Sequence, residues 1–113
     1  MIAYKLVRKL KNGELSPLFI NKKLRLVMNK LYAAESHPTK GFKYRKGWHC
    51  CLKPLAPHLT IKDRVWVEVE IEERSSTYYS RPESQGGKWV LAEYMIIKRE
   101  LTDSEVENIN NNI

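Results

Sequence analysis

At 113 residues the chain has the length of one domain, and such a chain buries about two thirds of its unfolded surface without disulfides or metals to staple it. A hydrophobic fraction of 42% with 10% aromatic residues excludes intrinsic disorder, and no apolar run approaches the roughly 20 residues of a membrane helix. The net charge of +7 is unevenly spread: residues 1–63 carry fourteen basic against three acidic residues, or +11, whereas residues 64–113 carry six against ten, or −4. This split predicts a basic face suited to nucleic acid, a nucleotide or an acidic protein. The opening MIAYKLVRKLKNG interleaves basic and apolar residues, unlike a signal peptide, so a cytoplasmic protein without membrane attachment is expected. Cys50 and Cys51 are adjacent, a poor geometry for a disulfide, and free thiols in a reducing compartment are expected.

Ile2 to Leu10 alternates, with Ile2, Tyr4 and Leu6 on one side and Lys5 and Lys9 on the other, which predicts a strand with one solvated face. Asn12-Gly13 signals a hairpin, because a type I′ turn needs positive φ at both central positions. The returning strand is expected at Leu15 to Ile20, with Pro17 marking an edge or an irregular start. Asn21 as a cap, then Leu24, Val27, Met28 and Leu31 at helical spacing, predict a helix with a basic outer face; the alternation of Leu24, Leu26 and Met28 makes a strand the rival. His37-Pro38 ends that element. Gly41 and Gly47 bracket FKYRK, a short strand or loop, and Trp48 to Leu52 reads as a strand before the turns at Pro54 and Pro57.

Arg64 to Glu73 is the clearest element. Val65, Val67, Val69 and Ile71 face one way, while Trp66, Glu68, Glu70 and Glu72 face the other, with the carboxylates expected to pair with lysines of the first hairpin. Ser75 to Gly87 is turn-rich. Trp89 to Lys98 is apolar on both faces except at Glu93, which suits a central strand or a helix. Thr102 with Glu105 forms a capping box for a helix of Asp103 to Asn108, and Asn110 to Ile113 should fray.

Candidate chemistry gathers in Gly41 to Leu59. Cationic residues interleaved with aromatics suit a single-stranded nucleic acid, and Lys40, Lys43, Arg45, Lys46 and Trp48 are the expected contacts, with Arg81 as a further candidate. His49 and His58 are the candidate acid and base of a phosphate-ester enzyme. His37, His49, Cys51 and His58 have ligand chemistry but no tight ligand spacing, so a metal is not expected, nor a cofactor. Gly86-Gly87-Lys88 offers either a backbone nest for an anion or a plain turn, and the turn is favoured.

Three resemblances extend this reading. His58-Leu59-Thr60, flanked as PHLTIK, resembles one half of the paired motif of 2H phosphoesterases, with His37-Pro38-Thr39 as the second triplet; the resemblance implies imidazoles acting as general acid and base. That family places its motifs in separate lobes, whereas these triplets are close together and Pro38 breaks the first, so chance is the better account. Gly47-Trp48-His49 in a small β scaffold is similar to ADP-ribosyltransferase folds at the level of fold alone. From Tyr4 to about Glu100 the chain resembles small phage and prophage proteins, through YKLVRKLKNGELSPLFI, GFKYRKGWHC, APHL, RVWVEVEI and RPESQGGKW; this implies a phage origin and brings no activity with it.

The expectation is a single α+β domain over residues 1–113, dominated by an antiparallel sheet with one or two short helices. Binding of nucleic acid, a nucleotide or an acidic host protein through the basic N-terminal half is the first functional expectation. A small phosphate-ester enzyme and a virion or oligomeric structural protein are the alternatives, and the residues favour binding over catalysis.

Overall fold

The computed structural model describes residues 1–19, 21–34 and 47–111. Among these residues eight antiparallel strands form one sheet: β1 (Ile2–Lys9), β2 (Leu15–Ser16), β3 (Leu31–Ala33), β4 (Trp48–Cys51), β5 (Arg64–Ile71), β6 (Thr77–Ser80), β7 (Lys88–Ala92) and β8 (Tyr94–Glu100). An α-helix, α1 (Asp103–Asn111), follows, and two single 3-10 turns lie at Glu73–Ser75 and Glu83–Gln85. The strand order is β3-β8-β5-β1-β4-β7-β6, with β2 paired to β1, so the α+β architecture with a dominant antiparallel sheet is as expected.

Only Glu93 separates β7 from β8, yet β5, β1 and β4 lie between them in the sheet. Because consecutive Cα atoms are about 3.8 Å apart, a flat sheet cannot make that connection, and the sheet rolls until its distant strands meet. The Trp48 indole N–H of β4 donates to the Tyr32 carbonyl of β3 (3.1 Å) and so links strands far apart in the order across the roll, while the Ala34 amide donating to the Glu93 carbonyl (2.7 Å) extends the β3–β8 ladder into the link. Inside the roll pack Ala3, Val7, Cys50, Val67, Val69, Val90, Met95 and Ile97, all fully buried. A second cluster, Leu6, Cys51, Ala56, Trp66, Trp89 and Leu101, covers the outer face beneath the 52–63 loop, with Val106 and Ile109 of α1 packed on it.

Several expectations change. β1 is buried on both faces because the roll closes over one and the outer cluster covers the other: Ala3 and Val7 point inward, Leu6 is buried on the outer side, and Ile2 is exposed. Lys5, expected in solvent, sits half-buried on the inner face. The first turn is not type I′, since Gly13 has positive φ (88°) and Asn12 does not; Asn12 instead accepts from the Glu14 amide at 3.0 Å. The returning strand ends at Ser16 before buried Pro17.

No helix forms at residues 21–31. Asn21 and Asn29 take left-handed φ of 54° and 60°, and the Tyr32 hydroxyl accepts from the Val27 amide (2.8 Å) and donates to the Arg25 carbonyl (3.2 Å), replacing helical bonds with a side chain. Leu26 alone is buried there, through a bridge to Leu15, which is closer to the alternating pattern than to the helical one.

Residues 89–98 split into two strands at Glu93, and the turn-rich stretch 75–87 also holds a strand, β6. β5 keeps the expected faces, but its carboxylates pair with β8, Glu68 with Arg99 and Glu70 with Lys98, because Tyr4 and Ile2 stand opposite them on β1. Lys9 is the one lysine of the first hairpin with an ion pair among the described residues, to Glu100 at 2.9 Å. The Thr102–Glu105 capping box is present, at 3.1 and 3.0 Å, and α1 runs on to Asn111, with Asn110 donating to the Pro54 carbonyl at 3.1 Å instead of fraying.

Candidate anion site on the outer face

Alternation along the strands puts His49 and Cys51 of β4, Trp89 and Leu91 of β7, and Thr77 and Tyr79 of β6 on one face, because Cys51 and Tyr79 both stand opposite Trp89. Arg81 follows two residues after Tyr79 and continues that face. Trp89 is 5% exposed and forms the floor, its indole N–H held by the Gln85 carbonyl at 2.7 Å. The Arg81 guanidinium lies over this ring, 4.2 Å from its centroid and 5.5 Å from that of Tyr79. His58, carried in by the 52–63 loop, tilts against the same indole with centroids 5.8 Å apart.

Tyr79 links the two sides of the cluster. Its hydroxyl is 2.7 Å from Nδ1 of His49 and 3.5 Å from an Arg81 guanidinium nitrogen. Arg81 can only donate, so the phenol oxygen accepts from it; the same hydroxyl can also donate to Nδ1 when a neutral His49 ring carries its proton on Nε2, or accept from Nδ1 when the proton is there. Burial pushes the Tyr79 phenol up to about 12, against the opposing pull of Arg81, so it stays protonated at neutral pH. His58 titrates below the usual imidazole value because its charged form is partly desolvated and Arg81 stands nearby.

Arg81 has no ion pair among the described residues. Its guanidinium, half-buried on an aromatic floor and flanked by an imidazole and a phenol, presents donors without a carboxylate to accept them. An anion with several acceptor oxygens fits that arrangement.

The other sequence candidates fall differently. Trp48 is on the opposite face: its indole meets Tyr32 edge-on (6.4 Å between centroids), and Lys5 lies 5.8 Å above it while donating to the His49 carbonyl at 2.8 Å. Trp48 therefore closes the seam of the roll, and burial lowers the Lys5 ammonium below its ordinary value. Lys40, Lys43, Arg45, Lys46 and His37 lie outside the described residues. Gly86-Gly87 forms a turn and not an anion nest, since both amides are spent on the Glu83 and Pro82 carbonyls at 3.1 and 3.3 Å. Among the described residues no three His, Cys, Asp or Glu side chains converge as metal ligands, and no helix is long and apolar enough to cross a membrane.

Cys50 and Cys51 are free and buried, on opposite faces of β4, and burial pushes their thiols up to about 11 and about 12. Only the thiolate reacts readily. Both cysteines should therefore resist iodoacetamide in the native protein at pH 7.5 and alkylate fully in urea, as read by intact mass; rapid labelling of either in the folded state contradicts this burial.

Sequence reasoning missed Tyr79 and Trp89. Tyr79 and Arg81 share the i, i+2 spacing of one strand face, but the surrounding glycines, serines and proline read as turns. Compared with protein-family models, with curated proteins and with solved structures, the chain matches none.

Proposed function

We propose that the chain is a small accessory protein of phage type that acts in a host cytoplasm by binding a phosphate-bearing ligand, a nucleic acid or a nucleotide, at the Arg81 cluster. The phage origin rests on the sequence resemblance alone. The observation that carries the binding reading is the Arg81 guanidinium laid on Trp89 between His58 and Tyr79 with no acidic partner among the described residues. The excess of cations in residues 1–63 adds a long-range attraction for the same ligands.

Fluorescence anisotropy with labelled oligonucleotides and mononucleotides across a salt series tests it. Charge-assisted hydrogen bonds contribute about 1.5–3 kcal/mol each, so Arg81→Ala should weaken binding by at least about 10-fold. It should also flatten the log–log salt slope by about 0.7 on a single strand. Absence of binding at low salt, or wild-type affinity in Arg81→Ala, rejects the reading; capture of an acidic polypeptide in its place favours a protein partner.

Phosphate-ester chemistry is a second reading, favoured by one arrangement. His49 and His58 lie on the same side of the sheet, one tied to Arg81 through Tyr79 and the other resting on the Trp89 floor. Bound oligonucleotide that stays intact on prolonged incubation argues for binding alone.

A further inference from the structure

A second cationic-aromatic group lies on this outer face, at the end of the sheet where β1 finishes and β5 begins. Arg8 and Arg64 are direct cross-strand partners, two like charges set opposite each other, which destabilises a sheet unless an anion joins them. Neither has an ion pair among the described residues. Arg64 is held in place by its own bond to the Thr60 carbonyl (3.1 Å) and lies 5.7 Å from the Phe19 ring centroid. Phe19 is 63% exposed and Ile61 67%, and Lys62 is exposed beside them. A phenyl ring left in solvent and backed by a guanidinium has the form of a stacking platform, because every base offers a π-face and Arg adds its charge.

The 52–63 loop joins this platform to the Arg81 cluster. His58, against Trp89, precedes Arg64 by six residues, which at full extension span about 20 Å. His58 and Thr60 are exposed along that path, with Leu59 anchored in the outer cluster beneath them. Phosphate-binding groups at one end and an aromatic ring with two arginines at the other form a track for a chain that carries repeated phosphates and unpaired bases. A mononucleotide presents its phosphate at one point only, and the bases of a duplex are stacked internally and cannot lie on Phe19.

We propose that the occupant of this face is single-stranded nucleic acid, its phosphates held at Arg81 and at Arg8–Arg64 and a base stacked on Phe19. This rests on the Arg81 reading for one end of the track and adds the other end, the strandedness and the length.

The test compares wild type, Phe19→Ala, Phe19→Trp and Arg81→Ala by anisotropy, using labelled 12-mers of oligo-dT and oligo-rU, a 12-base-pair duplex and a mononucleotide. Phe19→Ala should weaken both 12-mers by about 10-fold, in line with the loss of one stacked base, while Phe19→Trp retains their affinity and the mononucleotide is unaffected. The duplex should bind more weakly than either single strand. Phe19 is largely exposed, so its truncation leaves the fold intact, and matching thermal melts by circular dichroism verify this. Wild-type affinity of Phe19→Ala for the 12-mers overturns the track, as does a duplex bound as tightly as the single strands. A loss in Arg81→Ala alone leaves the anion site standing and removes the track; a loss in Phe19→Ala alone does the reverse to the Arg81 reading. A response by one 12-mer alone contradicts the proposal for the other strand, the two differing in the 2′-hydroxyl and the thymine methyl.

Discussion

Replacing Trp89 with alanine is expected to lower the unfolding free energy by about 3–5 kcal/mol, the range for truncating a buried aromatic. The side chain is 5% exposed, belongs to the outer cluster with Leu6, Cys51 and Trp66, and supports Arg81, Tyr79 and His58 at once. A domain of this size has about 5–15 kcal/mol in total, so the variant stands close to its folding threshold. Trp89→Phe separates packing from floor geometry: it keeps most of the apolar volume but leaves the Gln85 carbonyl without its 2.7 Å donor, at a cost of about 1 kcal/mol. Urea titrations followed by circular dichroism measure both. A loss below about 1 kcal/mol in the alanine variant means the indole is not packed as described.

Gly86→Ala is expected to be strongly destabilising for a change that adds a single methyl group. Gly86 has φ of 97°, and an added Cβ would lie 2.4 Å from the Leu55 carbonyl oxygen, which is backbone and cannot swing aside. Gly13 supplies the control. Its φ of 88° is similar, but an added Cβ there meets nothing within 4 Å. Gly13→Ala should therefore cost only the left-handed backbone penalty of about 1–2 kcal/mol. Gly86→Ala should cost that and more, because the 52–63 loop must move away, taking His58 from Trp89. The two are compared by thermal melts, with the His58 ring resonances reporting loop position by NMR. Equal destabilisation of the two variants, with His58 undisturbed, rules out the close approach at Leu55.

What could be read from the sequence was what local chemistry decides. β5 was visible because Val65, Val67, Val69 and Ile71 alternate with Trp66, Glu68 and Glu70, β4 because Trp48 to Leu52 is largely apolar and lies between Gly47 and Pro54, and α1 because a capping box is a contact between neighbours in the chain. The helix expected at 21–31 failed for a physical reason. Leu24, Val27, Met28 and Leu31 fit its period, but a tyrosine hydroxyl one residue beyond took the Val27 amide and the Arg25 carbonyl, and two asparagines took left-handed turns. The inner burial of Lys5 and the fate of Glu68 and Glu70 were hidden similarly, since alternation assigns faces but not the strands on either side.

One domain, an antiparallel α+β class, free cysteines and a basic N-terminal half were all legible in composition and short-range pattern. The rolling of the sheet, set by a single-residue link at Glu93, was decided only by tertiary structure. So was the meeting of His49, His58, Tyr79, Arg81 and Trp89 on one outer face. These five residues come from three strand segments and a loop, and what brings them together is strand order and register, which depend on pairings between distant parts of the chain and leave no mark on the residues' own neighbours.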